Sequence, residues 1–132
     1  QRFAQPYEQR LVKELAAEGI FTVIHICGDT TRVLKHLAQY DSCGFELDHK
    51  TDATQAKSVV GSRHVLFENI DPSGVLARGT PDEVRSQTRQ LISVWKPHGR
   101  FVLNAGCAIP ASTPSENLHT FVQTARLEGR YD

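Results

Sequence analysis

The sequence predicts an α/β fold of parallel strands, and three observations carry that prediction. Apolar, β-branched segments alternate with helical stretches along the whole chain. Each strand runs into a polar or glycine-containing turn before the next helix starts. The 132 residues hold 39% hydrophobic and 23% charged side chains, which suits a packed globular core rather than disorder. Alternation of this kind requires crossover connections between parallel strands, and such crossovers are right-handed.

Residues after Pro6 read as a first helix, with Leu11, Leu15 and Ala16 on one face and Gly19 as its stop. Residues 21–26 (FTVIHI) are the first strand, apolar enough to be buried on both faces. Asp29, Thr30 and Thr31 supply an N-cap for a helix carrying Val33, Leu34, Leu37 and Ala38. Residues 44–48 (GFELD) form a shorter, more polar second strand, followed by a helix from Asp52 that closes at Gly61. Residues 65–70 (VLFENI) are the third strand, ending at Asp71 and Pro72. Thr80, Pro81 and Glu83 then build a capping box for a long helix whose apolar face is Val84, Leu91, Ile92 and Trp95. Residues 100–104 (RFVLN) are the fourth strand. The same capping pattern at Thr113, Pro114 and Glu116 opens a last helix with Leu118, Phe121, Val122 and Ala125 inward. One helix and four βα units make either half of an eight-stranded barrel or a small open sheet, and periodicity alone does not separate them.

Fifteen basic and fifteen acidic residues give a formal net charge of zero. This excludes a strongly basic nucleic-acid surface or a polybasic membrane anchor as the main activity. No apolar run approaches the ~20 residues that span a bilayer. No secretory leader follows Gln1, so the expected location is cytoplasmic. Methionine is absent, and residues 1–132 are expected to be a single partial domain, a processed or truncated piece. Three cysteines are too few for a disulfide scaffold, which favours free or metal-bound thiols, with a secreted protein holding one bridge as the alternative.

The strongest chemical signal is His25-Ile26-Cys27-Gly28 at the end of the first strand. Side chains two apart on a strand share a face, so imidazole and thiol converge where α/β proteins collect their active sites. Cys107, at the corresponding end of the fourth strand, offers a third soft ligand. One His and two Cys suit zinc and leave a fourth position open. Ordinary core packing of the His-x-Cys pair and a Cys27–Cys107 disulfide are the competing readings, while Cys43 reads as a small buried hydrophobe. Asp48 and Asp71 close the second and third strands, where each can orient a metal-bound histidine, hold a substrate group or simply cap a loop. Asn69 places an amide within an apolar strand and must find a partner. His36, His49, His64, His98 and His119 sit amid polar neighbours and are not expected to be ligands. The glycine-rich dinucleotide fingerprint, the P-loop and the nucleophile elbow are all missing from the sequence.

Four motifs occur in order: residues 25–31 (HICGDTT), 69–72 (NIDP), 79–84 (GTPDEV) and 104–110 (NAGCAIP). Together they resemble the C-terminal half of the uroporphyrinogen decarboxylase superfamily. The resemblance is greatest to its corrinoid-dependent methyltransferase branch, which includes methylcobamide:coenzyme M methyltransferases. It covers nearly the whole chain from Phe21 onward. It implies a TIM (β/α)8 barrel, with the units here as strands five to eight. It also implies a zinc site at His25, Cys27 and Cys107, since the decarboxylases lack the His-x-Cys and typically have histidine where Cys107 stands. By the same resemblance, zinc activates the thiol of an acceptor such as coenzyme M, which takes a methyl group from a methylated corrinoid on a partner protein. Tetrahydrofolate is the other acceptor implied. Asp48, Asn69 and Asp71 are then orienting groups of the catalytic site.

Two departures stand out. Glu68 replaces a frequent glycine, which predicts a changed pocket wall, and the first four βα units are absent. Those units hold an arginine-rich substrate motif in the decarboxylases and an acidic residue that completes the resting zinc site in the methyltransferases. The fragment alone is therefore expected to be nearly inactive and, with open strand edges and an open inner face, to self-associate. Two rival expectations remain: a metal-free decarboxylase acting on a tetrapyrrole, and a non-catalytic half-barrel with structural zinc.

Overall fold

The computed structural model describes residues 3–41 and 43–131; the side chain of Cys43, and with it the expectation that this thiol is buried, lies outside the described set. Helix α1 (Gln5–Ala17) precedes β1 (Thr22–Ile26), and α2 (Leu34–Leu37) precedes β2 (Cys43–Leu47). Then come α3 (Ala53–Val60), β3 (Leu66–Ile70), α4 (Pro81–Trp95), β4 (Phe101–Ala105) and α5 (Ser115–Glu128). The strands lie in the order β1-β2-β3-β4, each pair parallel. A doubly wound sheet reverses its strand order at a switch point, whereas a barrel keeps sequential order. The order here is sequential, which decides between the two architectures in favour of a barrel segment.

The two faces of the sheet differ. Ile24 and Ile26 of β1, Phe45 and Leu47 of β2, Leu66 of β3 and Phe101 of β4 pack against the helices through Val12, Leu34, Leu37, Ala56, Val60 and Trp95. Val23, His25, Glu46, Phe67, Asn69, Val102 and Asn104 alternate with them and occupy the opposite, open face. Contrary to expectation, β1 is buried on one face only; Val23 is 40% exposed.

The capping box of α4 forms as the sequence predicts: the Thr80 hydroxyl accepts from Glu83 N and the Glu83 carboxylate accepts from Thr80 N at 2.6 Å. Asp52 likewise caps α3, accepting from Gln55 N at 2.7 Å. Four expectations need correction. In α1, Val12 rather than Leu11 faces the sheet, with Leu15 and Ala16 half-buried beside it at the i+3 and i+4 positions; Leu11 falls a step off this stripe and is 55% exposed. In α5, Asn117 and Thr124 are the buried positions while Val122 is exposed, because the Asn117 amide is tied to the carbonyls of Leu76 and Gly79. Helix α5 also starts one residue late: Pro114 O accepts the first amides, and the buried Thr113 hydroxyl has no partner among the described residues. Finally, the helix after β1 is only a 3-10 turn (Thr31–Val33) plus one α turn, since Asp29 takes Thr31 N and the Thr30 hydroxyl is held by Thr51.

Beyond Asp71 the chain makes a π-helical turn, Pro72–Leu76, for which the local sequence pattern predicts no element. Pro72 starts it without needing an amide partner, and the Asp71 carboxylate accepts from Ser73 N and Gly74 N at 2.9 and 2.7 Å.

Candidate metal centre

β1 and β4 carry the sheet's two edges, and each ends in a loop bearing cysteine. His25 is on β1 itself, and Cys27 follows one residue beyond its end. Gly28 then turns the chain at φ +85°, a backbone region costly for any residue with a Cβ. Its amide donates to Asp48 Oδ2 at 2.8 Å, which pins the His25–Cys27 loop to the end of β2. On the other side, Gly106 lies so close to the His49 backbone that an added Cβ would collide with it. The glycine before Cys107 therefore lets the β4 loop close over β2 toward Cys27.

The sequence-predicted trio comes together. His25 Nε2 lies 3.0 Å from Cys27 Sγ, and Cys27 Sγ lies 4.0 Å from Cys107 Sγ. The three ligand atoms all fall within 4.8 Å of one another. Tetrahedral zinc with bond lengths of ~2.0–2.3 Å needs ligand atoms roughly 3.6–3.8 Å apart, so small side-chain adjustments fit the set to the ion. Both thiols are free, and the sulfurs stand about twice a disulfide bond length apart, which rules out the disulfide reading for this conformation. The Cys27 thiol is held above its ordinary range by its hydrogen bond with Cys107, then by burial and by the negative charge of Cys107, Asp48 and Glu46.

Of the predicted orienting groups, Asp48 reaches the loop of the trio through Gly28 N, while Asn69 contacts the Asp48 backbone and Asp71 its own turn and His49. Asp48 is buried and accepts from Gly28 N and from Lys50 N at 3.0 Å. Burial pushes its carboxyl up, but the two amides and the nearby His49 and Lys50 outweigh that and hold it below the usual carboxylate range. Among the described residues Asn69 donates to the Asp48 carbonyl alone, at a long 3.5 Å. Asp71 chiefly caps its turn. The capping role weighed for both aspartates is thus realised.

Among the described residues neither aspartate pairs with His25; that position belongs to Glu46, which is not among the sequence-predicted site residues. Glu46 Oε2 lies 3.3 Å from His25 Nδ1, and Glu46 Oε1 accepts from Asn104 Nδ2 at 2.6 Å. The signal was available: a charged residue mid-strand needs a partner, by the argument already applied to Asn69. His49, not expected to be a ligand, meets the two aspartates instead. Its Nδ1 is 3.0 Å from Asp48 Oδ1, a charge contact without hydrogen-bond alignment, and its Nε2 is 3.6 Å from Asp71 Oδ2. Of the other histidines, His64 is buried and meets Phe45 edge-on. Glu68 shares the face of Leu66 and Ile70 and is fully buried on the helix side, so it does not shape the pocket wall as expected.

The family profile for uroporphyrinogen decarboxylase (URO-D) matches residues 1–127. The chain belongs to this family. It is 31% identical over 126 residues to the methylcobamide:CoM methyltransferase MtbA of Methanosarcina acetivorans, covering 96% of this chain and 36% of that protein. It is 29% identical over 129 residues to the uroporphyrinogen decarboxylase of Azoarcus sp., covering 98% and 35%. Among solved structures, a methyltransferase from Methanosarcina mazei superposes with a TM-score of 0.81 over 98% of this chain and 36% of its own, at 24% identity. This family member thus has the fold of the C-terminal half of a (β/α)8 barrel, and it spans about a third of the length of the relatives it matches. No helix among the described residues is long and apolar enough to cross a membrane.

Proposed function

We propose that residues 1–132 form a single partial domain, the zinc-bearing part of a corrinoid-dependent methyltransferase. The convergence of His25 Nε2, Cys27 Sγ and Cys107 Sγ within 4.8 Å at the strand ends carries this reading. These three side chains would hold the ion. Zinc bound there supplies Lewis-acid activation, lowering the pKa of an acceptor thiol such as coenzyme M so that it reacts as thiolate at neutral pH.

The chain's own residues set the surroundings. Gly28 and Gly106 bring the two ligand-bearing loops together through Asp48 and His49. Asp48, Asn69 and Asp71 would orient the acceptor, Asp48 from its bond to the Gly28 loop that follows Cys27. Phe21, Val23, Phe67 and Val102 form an apolar floor toward the N-terminal ends of the strands. The acceptor thiolate would take a methyl group from a methylated corrinoid carried by a partner protein, leaving the carbon–cobalt bonding pair on cobalt. Tetrahydrofolate is the alternative acceptor. The location proposed for this chemistry is cytoplasmic.

Zinc analysis tests the reading. The purified chain should hold close to one zinc, and Cys107→Ser should lower affinity at least a hundredfold while leaving the far-ultraviolet circular dichroism unchanged. A chain without zinc, or a Cys107→Ser variant that keeps it, would instead favour the metal-free decarboxylase reading.

A further inference from the structure

We infer that Glu46 is the positioning residue that fixes which nitrogen of His25 faces the metal, and that Asn104 holds Glu46 in place to do so. The inference rests on the zinc reading above and goes beyond it.

Three observations carry it. Strand register sets His25 directly opposite Glu46 on the neighbouring parallel strand, so their proximity is built into the sheet rather than into a loop. The imidazole's two nitrogens face different groups: Nδ1 lies 3.3 Å from Glu46 Oε2, and Nε2 lies 3.0 Å from Cys27 Sγ. The second Glu46 oxygen accepts from Asn104 Nδ2 at 2.6 Å, across a sequence separation of 58 residues. A line of polar groups therefore runs from β1 through β2 to β4, joining the two strands whose ends carry the cysteines.

The chemistry follows from the imidazole's two tautomers. A neutral histidine coordinates a metal only through the nitrogen that lacks a proton. Free histidine prefers its proton on Nε2, the nitrogen that faces the thiols here. A carboxylate beside Nδ1 draws the proton to that side and leaves the Nε2 lone pair directed at the cysteines. The Asn104 amide opposes rotation of Glu46 away from the ring, because turning would forfeit a short charge-assisted hydrogen bond.

Two measurements on the full chain decide the matter. Zinc affinity, read by competition with a chromophoric chelator, should fall about tenfold in Glu46→Gln and up to about a hundredfold in Glu46→Ala, with Asn104→Ala near tenfold. In the metal-free protein, nitrogen-15 spectra of the neutral imidazoles, recorded at alkaline pH, should show His25 protonated mainly on Nδ1. The His25 signals are assigned by their loss in His25→Gln. In Glu46→Ala the proton should move toward Nε2, a change that a merely structural role would not produce. An unchanged tautomer or an unchanged affinity in Glu46→Ala overturns the inference, even if the wild type binds zinc normally. A wild type that binds none overturns it together with the zinc reading, so the two failures are told apart by the wild type alone.

Discussion

Glu46 and Glu68 stand on adjacent central strands, and the two faces of one sheet treat them in opposite ways. On the open face, Glu46 has a partner for each oxygen: the Asn104 amide and the His25 ring. On the helix face, Glu68 is fully buried, and neither oxygen has a hydrogen-bond partner among the described residues. Burial pushes its carboxyl up to about 9, so it is a neutral acid at pH 7. The comparison separates two uses of the same side chain. Where the sheet is half-open and polar, a carboxylate organises neighbours; where it is packed, the same group sits in the core at a cost. The helix face thus holds the packed core, and the open face holds the proposed metal site.

The sharpest way to break this division is to empty the helix face. Phe45 is fully buried and meets Tyr40 and His64 edge-on at 5.9 and 5.0 Å. Phe45→Ala should cost about 3–5 kcal/mol, a large part of the stability of any small domain. Urea unfolding of the metal-free chain measures it. A midpoint close to wild type would mean that the helix face is not the stabilising one.

Next in size is Glu68. Its folded value of about 9 lies above the ordinary 4.5, so between those pH values the folded state keeps a proton that the unfolded state releases. Stability from this group is therefore full below pH 4.5 and declines as pH rises toward 9. The accumulated loss is about 3 kcal/mol at pH 7. Glu68→Gln stays neutral throughout, so it should match wild type near pH 5 and exceed it at pH 7 to 8. Thermal unfolding across that range checks the sign. A variant that loses stability equally at every pH would show that Glu68 has a partner after all.

The sequence carried much of this division, and the missing parts share a cause. Thr80, Pro81 and Glu83 announce α4 because capping acts within four residues. His25 and Cys27 announce the site because strand alternation acts within three. The phase of α1 is not encoded locally, since Leu11 and Val12 are equally apolar neighbours and only the docked helix chooses between them. The contacts of Glu46 and His49 are not legible locally, because they depend on register and on loops packed from elsewhere. The Glu46–Asn104 bond skips the intervening strand and spans 58 residues, a relation that no local pattern encodes. Cys107 lies beside Cys27 past the end of β4, as its spacing predicts, whereas its role as a ligand is what the family resemblance implies.

The smallest change in stability should come from the open face, where Val23 and Val102 are 40% and 42% exposed and Phe21 is 58% exposed. These side chains form an apolar floor beside two strand edges, β1 and β4, each paired on one side only among the described residues. A zero net charge supplies no long-range repulsion between copies of the chain. Self-association through this face is the proposed consequence. Val23→Lys together with Val102→Lys should shift stability by no more than about 0.5 kcal/mol per site, since neither side chain is in the packed core. The same pair of charges should repel across any face-to-face contact and bring the chain to monomer mass in sedimentation velocity. A wild-type chain that is already monomeric at tens of micromolar would refute the association. A double variant that unfolds would refute the division itself, because stability would then reside on the open face as well.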